Sequence, residues 1–336
     1  MSRLSRLALL AVGLALAVFV IWQSGPAALW AGVRATWWVI PIVVLLWGAA
    51  YLGNTIAWRL LVPTDAPPIP LHVAYAFTVS GFAVNYATPL ASFGGEPVKA
   101  ALASSIIGGP RATGSVIAFR VLHSVSHLLI NLMAIIPAFV LFPRTPPVWL
   151  GFGILAIGLG ASVWYLLGRH RDGVLVDLVT LIGRLPVIGR LVRPLLPSVV
   201  HLEELDRHFT DTYRQRPAAF RRALAVEMVA RMLSMAEFVF ILWAQGGGFR
   251  PFAALAIGAF SSLIVNMMAF VPFELGTREA GLYGLFGALG LDPVMGTQAA
   301  VLTRVRELIW MIIGLALLVA IRPAKAPPGG QPPHPS

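Results

Sequence analysis

The sequence contains no cysteine, which excludes disulfide bonds, thiolate metal sites and a cysteine nucleophile. It also lacks a phosphate-binding loop of the form GxxxxGKS or GxxxxGKT, so no ATP-binding site of that kind is expected. Charged residues make up only 12% of the chain, whereas soluble domains carry roughly 25%. Negatively charged residues are scarcer than positively charged ones, with 14 Asp and Glu against 25 Lys and Arg.

Apolar residues are abundant instead: they account for 58% of the chain, and the mean hydropathy is +0.81. This composition indicates an integral membrane protein. In a soluble chain the formal net charge of +11 would suggest nucleic acid, but here it indicates cytoplasmic loops that face anionic lipid. We therefore expect an all-α, polytopic helical bundle with membrane lipids as partners and no nucleic-acid partner.

Apolar runs of about 20 residues are long enough to cross a bilayer. The sequence predicts such spans at Leu7–Trp22 (uncleaved), Trp37–Ala57, Thr113–Phe142, Trp149–Leu167, Leu224–Trp243 and Thr297–Ile321. Two further apolar regions are each interrupted near the middle: His72–Pro89 with Glu96–Ile107, and Phe252–Phe270 with Glu274–Leu289. Pieces of this length are candidates for re-entrant helical hairpins, which enter and leave the membrane on the same side.

The domain organisation follows from these spans. We expect one transmembrane domain over residues 1–322, interrupted by a cytoplasmic connection at 169–222 that holds ten Arg and six acidic residues. Within it, Leu175–Leu196 is amphipathic and is typical of a helix lying on the membrane surface, although an ordinary solvated connecting domain is the alternative. Residues 323–336 are rich in Pro and Gly and are expected to be disordered.

The interrupted regions belong to an internal repeat. The stretch from Ser80 to Arg120 recurs from Ser261 to Arg304, and in each copy a Pro, a Gly and a carboxylate precede a helix with a basic residue. Glu96 lies seven residues after Pro89, as Glu279 lies seven after Pro272. The carboxylate then precedes the helix Arg by 24 residues in the first copy and by 25 in the second.

The distribution of Lys and Arg predicts the orientation. With a cytoplasmic N-terminus, 16 of the 25 fall on the cytoplasmic side, three fall outside and six lie at membrane depth. Both termini are then cytoplasmic, in the cell inner membrane. The first hairpin enters from the cytoplasm and the second from outside, which is an inverted-topology repeat of the kind on which alternating-access transporters are built. The count does not prove re-entrance, because two full spans in place of a hairpin leave the same parity.

Six acidic residues also fall in membrane segments, beside the six basic ones. An ionisable residue at bilayer depth costs at least about 2.5 kcal/mol to insert, so each is a functional hypothesis, and together they are expected to face an interior or a wet cavity. The twelve are Glu96, Glu227, Glu237, Glu274, Glu279, Glu307, Lys99, Arg120, Arg231, Arg278, Arg304 and Arg306. For Glu96 and Glu279, each expected in the first turn of a helix, the alternative is helix capping with structural ion pairing.

Several of these residues are predicted to share helix faces. Arg120, His123, Ser124, His127 and Asn131 recur at helical spacing and predict a polar stripe on one face. The two His could carry protons, but satisfied buried histidines are the alternative, and their spacing without a third ligand predicts no metal site. Arg304 and Glu307 occupy the matching face in the second half, with Arg306 off it. Glu227 and Arg231, four residues apart, are a second ion pair that could be structural or functional.

Arginine and asparagine suit a headgroup at this depth. The planar guanidinium of Arg binds two phosphate oxygens at once, so Arg120, Arg278 and Arg304 would fit an anionic or zwitterionic headgroup, assisted by Lys99. Asn85 and Asn266 close the first arms of the two hairpins and could cap the broken ends or touch a headgroup.

Three motifs carry a family resemblance: Pro89-x6-Glu96 with Ala118-Phe119-Arg120, Phe270-Val-Pro272-Phe-Glu-Leu-Gly276-Thr-Arg-Glu279, and Leu302-Thr-Arg304-Val-Arg306-Glu307. They resemble the transmembrane domain of the lysylphosphatidylglycerol synthase family, also described as flippase-like. The resemblance covers about Leu7 to Ile321. The first motif departs from it: members often have an Arg where this chain has Lys99, and an acid where it has His123. No aminoacyl-transfer domain fits after Ile321, so the resemblance implies lipid movement without the synthase chemistry. Stand-alone members include a hopanoid-associated branch and others near glycolipid or polyprenyl-linked sugar pathways.

Three functions are therefore weighed. The first is a flippase or transporter that moves a polar or anionic lipid headgroup, of phospholipid, glycolipid or hopanoid type, through a charged midplane cavity without a cofactor. Its candidate residues are Glu96, Lys99, Arg120, His123, His127, Glu279, Arg278, Arg304, Glu307, Asn85 and Asn266. The second is a membrane-embedded enzyme that modifies a lipid headgroup, with Glu96 or Glu279 as general base. The third is a non-transporting scaffold of a lipid-synthesis complex. A homo-oligomer is left open.

Overall fold

A computed structural model describes residues 18–19, 22, 25–87, 95–168, 216–267, 274 and 276–321. The predicted span Leu7–Trp22 lies almost entirely outside these residues. So do most of the connection 169–222, including Leu175–Leu196, and the tail 323–336. Pro89 and Pro272, which lie in the predicted breaks of the two hairpins, are also outside the described residues.

The described residues form helices joined by short connections, with no strand among them, which confirms the all-α prediction. In chain order the helices are α1 (Pro26–Thr36), α2 (Ile40–Leu61), α3 (Leu71–Ala87), α4 (Gly95–Ile107), α5 (Gly109–Leu141), α6 (Pro146–Gly168), α7 (Pro217–Met235), α8 (Glu237–Ala244), α9 (Pro251–Met267), α10 (Thr277–Ala288) and α11 (Pro293–Ala320). Prolines open α1, α5, α7 and α11 in the first turn, where the missing N–H costs no hydrogen bond.

Three described segments are long and apolar enough to cross a membrane: Leu29–Leu61, Gly109–Leu141 and Pro146–Tyr165. They support the multi-pass membrane assignment. The predicted span Trp37–Ala57 is part of a longer helix, because a single 3-10 turn at Trp37–Val39 joins α1 to α2 without ending the helical path. The predicted span Leu224–Trp243 begins earlier, at Pro217, and is interrupted only at Ala236, whose N–H still bonds the carbonyl of Met232 at 2.9 Å.

Helices α3 and α4 form a first hairpin, and α9 and α10 a second. Their arms have 17, 13, 17 and 12 residues. At 1.5 Å per residue the arms are about 18–26 Å long, shorter than a hydrocarbon core of about 30 Å. Ala74, near the start of α3, and Ile107, at the end of α4, belong to one apolar cluster. Ala254 and Phe286, at the start of α9 and near the end of α10, belong to another. In each hairpin a residue near the start of the first arm and one near the end of the second arm therefore belong to the same apolar cluster.

The arms of the first hairpin approach closely because both carry glycine. A Cβ atom on Gly95 would collide with the carbonyl oxygen of Gly81, so only glycine fits there. Asn85 strengthens the same contact, since its Oδ1 accepts a hydrogen bond from the N–H of Gly95 at 2.5 Å. The side chain at the end of α3 thus satisfies a free N–H at the start of α4.

Helix α2 runs antiparallel to α7 and α8. At one end Arg216, just before α7, donates to the carbonyl of Val62 at 2.8 Å. Further along, the indole of Trp47 donates to Glu237 at 2.9 Å. At the other end the rings of Trp38 and Trp243 lie 5.8 Å apart. The last residues of α2 therefore lie beside the first of α7, and the region before α2 lies beside the end of α8.

Each hairpin packs on the long helix of its own half and on that of the other half. Helix α4 packs on α5 and α10 on α11, whereas α3 packs on α11 and α9 on α5. Two hydroxyls tie the crossed pairs: Ser80 donates to the carbonyl of Gly314 at 3.1 Å, and the Oγ of Ser262 lies 3.3 Å from Nδ1 of His127. Because each hairpin packs on both long helices, a space remains between the two hairpins.

Candidate functional site

A cavity of about 630 Å³ lies between the two hairpins. Its volume falls within the range of about 300–1,000 Å³ that is typical of pockets for small ligands. Residues of α2, α3, α4, α5, α7, α8, α9, α10 and α11 line it, so both halves of the chain contribute.

Nine of the eleven predicted site residues line this cavity: Asn85, Glu96, Lys99, Arg120, His123, His127, Asn266, Arg278 and Glu307. Ser124 and Asn131, which complete the predicted polar face of α5, line it as well. Glu279 and Arg304 do not line it but lie directly beside it, because Arg304 donates to the carbonyl of the lining residue Glu274 at 3.0 Å.

The two copies of the repeat form the same ion pair. Arg120 on α5 donates to Glu96 at the start of α4, with Nη1 and Oε1 2.9 Å apart. Arg304 on α11 binds Glu279 at the start of α10 through Nε at 2.5 Å and Nη2 at 3.1 Å. Both carboxylates lie in the first turn of their helix, as predicted. Glu279 also accepts the N–H of Gly276 at 2.9 Å, so it both caps α10 and holds an arginine.

A chain of alternating charges runs along the second-half side of the cavity. Arg278 contacts Glu274 at 2.5 Å and Glu307 at 2.6 Å. Arg306 lies 3.4 Å from the other oxygen of Glu307 and 3.5 Å from Glu237. The guanidinium of Arg306 also stacks 3.8 Å above the ring of Trp47, a cation–π contact. Every member except Glu274 is buried.

A second cluster surrounds Glu227 on α7, whose side chain is fully buried. Its Oε1 lies 2.6 Å from Nδ1 of His123 and 3.7 Å from Arg231. Arg231 is held by two further bonds, to the hydroxyl of Ser126 at 2.7 Å and to the carbonyl of His123 at 3.2 Å. This network connects α7 to α5.

Five charged residues that line the cavity were absent from the predicted site: Glu227, Arg231, Glu237, Glu274 and Arg306. The signal that could have found them is their position in predicted membrane segments, which they share with the other seven charged residues predicted there. Arg306 lies off the face of Arg304 and Glu307, as predicted, but it still reaches the cavity, because it points toward Trp47 and Glu237 rather than toward α10.

Lys99 is held by aromatic rings. Its Nζ lies 4.0 Å from the centroid of the Trp58 ring and 4.5 Å from that of Phe119. The side chain is buried, and the π faces of the two rings compensate part of its lost hydration. An ammonium fits this site because its charge is compact and can lie over the face of an aromatic ring.

The asparagines at the ends of the first arms of the two hairpins make different hydrogen bonds. Asn85 caps the start of α4, as one of the two predicted roles required. Asn266 instead donates to the carbonyl of Ser262 within its own helix at 2.8 Å and is exposed. Equivalent positions in the repeat thus carry the same residue type with different contacts.

Buried polar atoms without a hydrogen-bond partner concentrate at the cavity. Among the described residues eight such side-chain atoms occur, and seven belong to residues that line the cavity. They are Tyr51 Oη, Glu96 Oε2, Asn131 Oδ1, Glu227 Oε2, Arg278 Nε, Arg306 Nε and Arg306 Nη1. Since buried polar groups in proteins are nearly always paired, these atoms indicate that the cavity receives polar groups. The part of the chain that the structure describes contains no group of three His, Asp or Glu placed to hold a metal ion.

Taken together, the helices and the charged cavity define a polytopic membrane protein with a polar site between two helical hairpins. The chain belongs to the family described as the lysylphosphatidylglycerol synthase TM region, whose model matches residues 7–316. This confirms the resemblance seen in the sequence and supports a lipid-related membrane function; the hopanoid-associated branch stays a prediction. No curated protein and no solved structure matches the chain.

Proposed function

We propose that this protein moves the polar headgroup of a membrane lipid across the bilayer through the cavity, while the acyl chains remain in the surrounding lipid. The observation that carries the proposal is the placement of the membrane-depth charges. Ten of the twelve line one cavity, and the remaining two, Glu279 and Arg304, form an ion pair beside it. Charges that face an interior cavity in a membrane protein are typical of a path for a polar substrate.

The proposal includes the inverted, re-entrant architecture. Helix α2 and its counterpart α7–α8 are antiparallel, and the ends of the two hairpins lie in separate apolar clusters. These contacts support two halves of opposite orientation, with the hairpins entering from opposite faces. In transporters of this build the substrate site lies near the midplane, between broken helices. The distribution of Lys and Arg favours the inner membrane, with both termini and the connection 169–222 in the cytoplasm.

Transport is tested with purified protein in lipid vesicles that contain a trace of fluorescent lipid. Dithionite added outside quenches only the fluorescent lipid in the outer leaflet, which is about half of the signal. If the protein exchanges lipid between leaflets, the inner-leaflet lipid also reaches the dithionite and most of the signal is lost. We expect wild-type vesicles to lose most of the signal and the double variant Glu96→Gln/Arg120→Ala, whose ion pair lines the cavity, to behave like protein-free vesicles. The exposed pair Arg111–Asp65 lies outside the cavity, so Arg111→Gln/Asp65→Asn is the matched control and should transport normally.

The two alternative functions give different results. An enzyme that modifies headgroups would convert lipid species, which mass spectrometry of the same vesicles would detect. A scaffold would tolerate Glu96→Gln/Arg120→Ala in cells and move no lipid in vesicles. Unchanged lipid species together with protein-dependent loss of fluorescence supports transport; unimpaired transport by the double variant would refute the assignment of this site.

A further inference from the structure

The charges of the cavity cancel. Among the described lining residues there are five carboxylates and five cations: Glu96, Glu227, Glu237, Glu274 and Glu307, with Lys99, Arg120, Arg231, Arg278 and Arg306. Each of these carboxylates lies within 4.0 Å of an Arg or His nitrogen. Of these five cations only Lys99 has no carboxylate within 4.0 Å in the described part of the chain, and the rings of Trp58 and Phe119 already hold its ammonium. A headgroup of net charge would therefore lose its hydration and find at most this one cation as a counter-charge. In particular, no lining carboxylate in the described part of the chain is left to pair with an ammonium group.

The unpartnered polar atoms are of two kinds. Asn131 Oδ1, Glu227 Oε2 and Glu96 Oε2 can only accept hydrogen bonds, whereas Arg278 Nε, Arg306 Nη1 and the hydroxyl of Tyr51 can donate them. The acceptors come from α4, α5 and α7, and the donors from α2, α10 and α11. A ligand that fits must both donate and accept hydrogen bonds. Hydroxyl groups do both, and they require no counter-charge.

Aromatic side chains supply the remaining surface. Trp47, Tyr51, Phe82, Tyr86 and Phe119 all line the cavity. Tyr51 and Phe82 contact each other at 4.9 Å between ring centroids, and Phe82 stacks on Tyr86 at 6.1 Å. Flat apolar faces beside a few oriented polar groups are the usual lining of a pocket for a compact ligand with both polar and apolar faces.

From the charge balance, the mixed donors and acceptors, and the rings, we propose that the headgroup is an uncharged, polyhydroxylated group such as a glycosyl unit. This inference rests on the proposed function, since it names the substrate class of the same cavity. The acceptors on α4, α5 and α7 bind hydroxyl protons, the donors on α2, α10 and α11 bind hydroxyl oxygens, and the rings cover the apolar face. Tyr51 acts as a specificity-determining residue, because its buried hydroxyl has no other partner among the described residues.

Binding is tested on the purified full chain by native mass spectrometry, separately from transport. The probes are a monoglucosyl diacylglycerol, a phosphatidylglycerol and a lipid with a quaternary ammonium headgroup, all with the same acyl chains, and free methyl glucoside. We expect the glucosyl lipid to bind at least about tenfold more tightly than either charged lipid. Equal or tighter binding of a charged lipid overturns the inference. If methyl glucoside binds as tightly as the glucosyl lipid, the ligand is a free sugar, and the inference that it is a lipid headgroup is overturned.

Two conservative variants sharpen the test. Tyr51→Phe removes only the unpartnered hydroxyl and should weaken binding of the glucosyl lipid about five- to tenfold. Tyr75→Phe is the matched control, since its hydroxyl donates to the carbonyl of Gly48 and does not line the cavity; binding should be unchanged. If Tyr51→Phe binds the glucosyl lipid as tightly as wild type, the unpartnered atoms bind only water and the inference fails. Selective binding of the glucosyl lipid without any transport in vesicles would refute the proposed function and leave this inference standing.

Discussion

Arg304 binds the carboxylate of Glu279 through two nitrogen atoms, at 2.5 and 3.1 Å, and this pair is more deeply buried than its counterpart in the other half. The side chain of Glu279 is 7% exposed and that of Arg304 18%. For Glu96 and Arg120 the values are 26% and 38%. The two pairs occupy equivalent positions in the repeat, yet only the first-half pair lines the cavity. The Glu279–Arg304 pair is thus placed to stabilise the fold, and the Glu96–Arg120 pair is placed to contact a ligand in the cavity.

Loss of the two carboxylates should therefore have unequal effects on stability. Glu279→Gln leaves Arg304 buried without its counter-charge and should cost about 3 kcal/mol, because breaking a buried pair exposes an uncompensated charge. Glu96→Gln should cost about 1 kcal/mol or less, since its pair is accessible to the cavity. Unfolding of both variants in the same detergent measures the difference. Equal losses would show that the two pairs are structurally equivalent.

The close approach of the first hairpin's arms depends on glycine. Gly95→Ala places a methyl group against the carbonyl of Gly81 and should destabilise the protein by about 1–3 kcal/mol, as overpacking does. Gly153→Ala on α6 is the control: nothing lies within 4 Å of an added Cβ, so better helix propensity should stabilise by about 0.5–1 kcal/mol. Thermal unfolding of the two variants checks the sign of each effect. A Gly95→Ala protein as stable as wild type would mean that the arms are not tightly packed.

The opposite orientation of the two hairpins can be tested with single cysteines, because the chain has none of its own. Pro67 precedes the first hairpin, Phe249 precedes the second, and both are exposed. In intact cells a membrane-impermeant maleimide should label Phe249→Cys, and it should reach Pro67→Cys only after permeabilisation. Labelling of both from the same side would exclude an inverted arrangement, and labelling in the reverse order would exclude the proposed sidedness.

The existence of the helices was predictable from local composition. The arms Leu71–Ala87 and Gly95–Ile107 lie close to the predicted His72–Pro89 and Glu96–Ile107, since apolar runs and glycines mark them directly. The repeat placed a Glu and an Arg at nearly the same spacing, 24 and 25 residues, in its two copies, and in the structure each Glu binds the Arg of its own copy. By contrast, the contact between His123 and Glu227 joins positions 104 residues apart, and no pattern within one helix specifies it.

The same reason explains the residues that sequence reasoning left out of the site. Arg306 lies off the helix face that carries Arg304 and Glu307, and helix periodicity alone does not group it with them. The cavity is bounded by several helices, however, so more than one face of α11 reaches polar surroundings. Asn266 matches Asn85 in the repeat yet bonds within its own helix. Local sequence identity does not determine a contact that depends on how closely two helices approach.

The central claim, that a lipid headgroup passes through this cavity, is tested most directly by obstructing it. Ser124→Cys places a thiol in the lining, and Ser162→Cys places one on the exposed surface of α6, outside the cavity. Both variants are treated with a small water-soluble maleimide, reconstituted and assayed for exchange of fluorescent lipid between leaflets. The account predicts that modified Ser124→Cys stops exchanging lipid while treated Ser162→Cys continues at the wild-type rate. Full exchange by a quantitatively modified Ser124→Cys protein would contradict it.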